Sequence, residues 1–169
     1  MLQKVYPAFD LKLPEDLNIA LLSETLKGKS SLNKKRLGKA FLHDSRSACM
    51  IADELPSHLA VLPGYPENEE VFGSGTVYDA PRQLLDSTGS ERVSGTWVRA
   101  LAKSCGSDDG LWLTYPDLAS GLANQRLNYI AELEAESVVC DSPLCTSYLK
   151  IAAADLDIPV YWLPELLAD

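Results

Sequence analysis

Apolar positions in this chain fall into two rhythms that alternate from residue 37 to the end: short continuous runs, and stripes at three- and four-residue spacing. Residues 37–42, 135–139 and 158–162 are runs of strand length, and 93–102 is a further strand or extended segment. Between them, residues 116–134 carry Leu118, Leu122, Leu127, Ile130 and Leu133, with Ala119 and Ala123, as one face of the longest helix. Tyr148, Leu149, Ala152, Ala153 and Leu156 make a second stripe. Residues 78–85 open a third helix, with Asp79 as N-cap and Pro81 in the first turn, and it ends near Thr88 and Gly89. Residues 17–26 predict a short helix, and Pro164 starts a terminal one. Pro7 and Pro14 make residues 1–16 an irregular arm, and the prolines and glycines of 56–75 predict an irregular excursion over the surface.

Strands alternating with helices predict an α/β fold: a small, mostly parallel sheet with helices on both faces. A length of 169 residues with 46% hydrophobic positions is enough for one sizeable core, so residues 1–169 are expected to form a single domain. A net charge of −9 argues against nucleic acid and against an anionic membrane as partners. The basic cluster Lys34, Lys35, Arg36 is short enough to be a solvated loop. No apolar run has the length of a membrane span and the N-terminus lacks a signal-peptide core, so a cytoplasmic location is expected. There the four cysteines are expected as free thiols or metal ligands rather than disulfides.

Ligand sites in parallel sheets gather beyond the carboxyl ends of the strands. Three polar turns are expected at such ends: residues 43–49 with His43, Asp44, Arg46 and Cys49; residues 104–110 with Ser104 and Cys105; and residues 140–145 with Cys140, Asp141, Ser142 and Cys145. Asp141 or Ser142 could cap the helix that follows. A thiol at that helix start would have its thiolate favoured by the helix dipole. Trp97, Trp112, Trp162, Tyr115 and Tyr161 read as core or interface packing.

The order of these turns resembles the cysteine-rich CCG domain of heterodisulfide reductase subunits and of the iron-sulfur subunits of glycolate oxidation. The likeness rests on His43-Asp44-Ser45, residues 77–82, Ser104-Cys105-Gly106, residues 141–145 and residues 159–167. It implies three converging turns that ligate a four-iron four-sulfur (4Fe-4S) cluster, or zinc, and a place among the other subunits of a redox complex. Here Arg46, Ser104 and Ser142 stand where the family has cysteines, and Cys105 and Cys145 are in register. The resemblance makes those two the foremost metal or cluster ligands, with Cys49 and Cys140 as further ones and His43, Asp44, Arg46, Ser104 and Ser142 lining the pocket. The vacated positions leave a second reading open, a cluster-free interaction module that docks onto a redox partner.

Overall fold

The computed structural model describes residues 34–46 and 76–167. The expected helix at 17–26, the excursion at 56–75, the arm at 1–16 and Cys49 lie outside these residues. Strand β1 (Lys39–His43) is followed by helix α1 (Thr76–Asp86) and strand β2 (Glu91–Val93). Short helix α2 (Leu111–Thr114) runs into α3 (Pro116–Glu132), and β3 (Ser137–Cys140), α4 (Pro143–Ala152) and β4 (Val160–Trp162) complete the order. Single turns of 3-10 helix lie at Arg99–Leu101, Asp108–Gly110 and Leu163–Leu166.

All three strand pairings are parallel, in the order β2-β1-β3-β4. Successive side chains along a strand face opposite sides of the sheet, and both sides are covered. Phe41, Val138, Cys140 and Val160 pack with Ala123, Leu127 and Ile130 of α3 and Cys145 and Leu149 of α4. Ala40, Leu42, Val139 and Tyr161 pack on the other side, with Leu84 and Leu85 of α1 and with Leu163, Leu166 and Leu167. This is the expected α/β architecture, with helices on both faces of a parallel sheet.

The topology places the crevice. The chain leaves β1 for its neighbour β2 on one side and returns to β3 on the other, so the strand order reverses between β1 and β3. A parallel sheet opens its binding crevice at the carboxyl end of such a reversal. In register, His43 lies beside Cys140 at that end.

Four local expectations change. Helix α1 begins at Thr76, so Asp79 lies in its first turn instead of capping it, and Pro81 falls inside the helix. The segment 93–102 is not one strand: pairing stops at Val93, and the chain turns into the 3-10 helix at Arg99–Leu101. A buried carboxylate intervenes here, because the Arg99 N–H is taken by Asp44 Oδ2 at 2.6 Å instead of by a neighbouring strand. The buried face of α3 is Ala119, Ala123, Arg126, Leu127 and Ile130, whereas Leu118 is exposed. Trp112 and Tyr115 are likewise exposed, so of core and interface packing only the second remains for them.

Candidate functional site

The site is built on a buried ion pair. Asp44, the residue after β1, is 1% exposed and accepts Arg82 Nη1 at 2.7 Å and Nη2 at 2.9 Å, a bidentate fork. Arg82 Nη1 also reaches the Tyr78 carbonyl at 3.0 Å, which ties α1 to the end of β1. Burial works to raise the Asp44 carboxyl, but the Arg82 hydrogen bonds and charge, with the Arg99 N–H, outweigh it and hold it below its ordinary range. Asp44 is thus a framework anion with its oxygens committed.

On the other face of the sheet end, strand parity turns His43 toward α3 with Phe41. Arg126 of α3 donates from Nε to His43 Nδ1 at 3.2 Å, and its guanidinium carbon stands 4.9 Å from the Phe41 ring centroid. A guanidinium has only donors, so Nδ1 must be the acceptor and the imidazole proton sits on Nε2. Among the described residues Nε2 has no hydrogen-bond partner, nor do the two terminal nitrogens of Arg126. Burial pulls the Arg126 pKa down, with the Asp44 charge opposing.

Cys105 and Cys145 close the group. Gly106 holds φ at +85°, which lets the loop carrying Cys105 turn against the first turn of α3. Cys145 sits in the first turn of α4, three residues after its N-cap, Ser142. A ring nitrogen of His43 and the sulfurs of Cys105 and Cys145 all lie within 4.8 Å of one another, at 1%, 0% and 2% exposure. Ser107 contacts both thiols, its Oγ 3.0 Å from Cys105 Sγ and donating to Cys145 Sγ at 3.6 Å. The hydrogen bond from Cys145 lowers the Cys105 pKa, with His43 helping against burial. The same bond, together with burial, raises Cys145. The pair is therefore polarised, with Cys105 the more acidic of the two thiols.

This buried group could hold a metal ion. A tetrahedral ion with Zn–S bonds of about 2.3 Å places two thiolates about 3.8 Å apart, which is compatible with the spacing here. To offer Nε2 to a metal, His43 must pass its proton to Nδ1, and Arg126 must then turn away from that nitrogen.

The other expected site residues stand as follows. Cys140 is buried beside His43 but outside the three-residue group. Burial pushes its thiol well above the ordinary value, Asp141 adds to this, and a hydrogen bond with Thr146 opposes it. It is an apolar core residue on the α3 and α4 face. Ser104 is half-buried and its hydroxyl accepts the Gly106 N–H at 2.9 Å, a turn-holding role. Ser142 occupies the N-cap position of α4 without a side-chain capping bond. Arg46 is exposed and does not line the buried group. The turn bearing Cys105 does converge with the ends of β1 and β3, but it follows a 3-10 helix and not a strand.

Three participants escaped the sequence reading. Arg126 left a visible trace, since it occupies the apolar stripe of α3 between Ala123 and Ile130, where a charge has no place without a partner. Ser107 lies in the expected polar turn 104–110 and Arg82 in the segment 77–82 that carries the resemblance, but only tertiary contact gives either a place at the site.

Asp141 turns its carboxylate inward to accept the Ser45 N–H at 3.0 and 3.2 Å. Burial and the nearby Asp44 charge raise it from 3.8 to about 6. A carboxyl raised in the folded state contributes stability that is complete below the unfolded value of 3.8 and is lost as pH rises through about 6. Asp44 has the opposite sign, contributing above its unfolded value of 3.8 and losing it as pH falls below. Between pH 5 and 7 the lowered Cys105 acts with the sign of Asp44, so the Asp141 contribution is read as a difference from a variant that lacks its carboxyl. Metal-free protein should thus gain stability from pH 7 to pH 5 relative to Asp141→Asn, by about 1 kcal/mol. Urea midpoints measured at both pH values check this, and parallel pH profiles for the two proteins would contradict it.

No protein-family model matches the chain, and no curated protein is similar enough to be matched with it. Among the described residues, no helix is long and apolar enough to cross a membrane.

Proposed function

We propose that this chain is a subunit or domain of an oxidoreductase complex of the CCG type, in which His43, Cys105 and Cys145 hold a soft metal centre beside the path of electron transfer. The observation that carries the reading is the convergence of these three side chains, from three separate turns, into one fully buried group. Buried thiols and imidazole are the donors that zinc and iron-sulfur centres use. Three protein donors within 4.8 Å suit a single tetrahedral ion with one further position. A four-iron cluster spreads its thiolates over separate corners and calls for more of them, so the single ion is the better fit.

A second reading has one observation in its favour. Trp112, Leu113, Tyr115 and Leu118 form a run of exposed apolar side chains across α2 and the start of α3, as a docking module would present to a partner subunit.

Ligand variants separate the two. Cys105→Ser and Cys145→Ser should each weaken zinc or cobalt binding at least tenfold, measured by competition with a chromophoric chelator, while Cys140→Ser leaves it unchanged. Equal affinity in all four proteins would remove the metal centre and leave the docking module.

A further inference from the structure

We propose that Cys105 and Cys145 form a two-electron thiol/disulfide couple, so that this site can be oxidised and reduced without any iron. The two sulfurs belong to segments forty residues apart, yet they face each other in one buried group within 4.8 Å. A disulfide needs a sulfur separation of about 2.05 Å, a closure of under about 3 Å from that limit. The Ser107 hydroxyl, 3.0 Å from one sulfur and 3.6 Å from the other, sits to one side of the line joining them and can rotate as they approach. Cys105 sits in a loop and Cys145 at a helix start, so closure does not require a strand to leave the sheet. Cys140, in contrast, is fixed in β3 and packed into the core.

Both thiols are at most 2% exposed, which selects the oxidant: small, uncharged and able to enter a closed pocket. A peroxide meets these terms. The Cys105 sulfur attacks one oxygen of hydrogen peroxide, the O–O bond breaks, water leaves and a sulfenic acid forms. The Cys145 sulfur then attacks the Cys105 sulfur, the S–O bond breaks and a second water leaves with the remaining thiol proton. In sum, two thiols and one hydrogen peroxide give one disulfide and two waters. The couple stands without a metal; its competition with one rests on the reading of the site given above, because the same sulfurs cannot be disulfide and ligand at once.

The test treats the wild-type chain with stoichiometric hydrogen peroxide, zinc-free and zinc-loaded, and maps cross-linked peptides by mass. Zinc-free protein should lose two thiols and yield one peptide pair joining Cys105 to Cys145, reversed by dithiothreitol. Zinc-loaded protein should react at least tenfold more slowly and release its zinc as the disulfide forms. A zinc-free chain that forms this disulfide but binds no zinc would keep the couple and remove the metal centre. Oxidation to sulfinic acid without a cross-link, a disulfide through Cys49 or Cys140, or disulfide formation with zinc still bound would overturn the proposal.

Discussion

Replacing Asp44 with alanine is expected to destabilise the fold by about 3–5 kcal/mol, as removal of one partner of a buried ion pair does. Arg82 would keep the Tyr78 carbonyl but lose the two carboxylate oxygens at 2.7 and 2.9 Å, at a site where it is 3% exposed. A guanidinium cannot escape by shedding its proton, so the charge stays buried without its bidentate carboxylate. The same change strips the Arg99 N–H of its acceptor, at a residue whose φ of 53° is already costly for a side chain. The exposed pair of Lys150 and Glu165, at 3.3 Å, gives the contrast: Lys150→Ala should cost under about 1 kcal/mol. Combining Asp44→Ala with Arg82→Met should recover part of the loss, because no unmatched charge then remains. Equilibrium urea unfolding measures all of these. A cost for Asp44→Ala below about 1 kcal/mol would mean that the pair does not hold β1 to α1.

Gly106→Ala carries the second large effect. The added methyl meets the main-chain carbonyl of Ala119 in the first turn of α3, and Tyr148 Cε1 lies 3.0 Å from it. Backbone of a packed helix cannot swing aside, so the loop itself must move, and with it Cys105. The left-handed conformation at φ +85° adds about 1–2 kcal/mol for any L side chain, and overpacking adds about 1–3 kcal/mol. Gly110 supplies the control, since it also has positive φ, at 74°, but open space around its Cβ position. Gly110→Ala should therefore show the conformational cost alone and leave metal affinity unchanged, while Gly106→Ala should lower both stability and affinity. Equal costs for the two would show that the Ala119 contact is not what fixes the Cys105 loop.

How far the sequence reaches is clearest in particular residues. The runs now seen as β1, β3 and β4 were legible because both faces of a parallel sheet are buried, which writes continuous apolar stretches. The meeting of His43 with the turn of Cys145 was legible as a consequence of strands ending where polar turns begin, whereas Cys105 arrives from a turn that follows a 3-10 helix. Arg99 shows why the segment 93–102 misleads: its apolar spacing suits a strand, but a carboxylate 55 positions away captures its N–H. Cys140 and Arg46 show the same limit from the other side. Spacing brings both near the site, and only strand parity and exposure reveal that one is core and the other faces water. Arg126 was readable in principle, as a charge on an apolar stripe, although its partner His43 lies 83 positions away.

The group formed by His43, Cys105 and Cys145 is the proposed metal centre, and metal analysis of anaerobically purified wild-type protein tests it most directly. Zinc, iron and sulfide are counted per chain, and the visible absorption is recorded before and after cobalt substitution. About one metal ion per chain is expected with no inorganic sulfide, and the cobalt form should show the intense thiolate charge-transfer bands of a tetrahedral sulfur site. A folded, colourless protein that retains no metal and takes up no cobalt would contradict the metal centre.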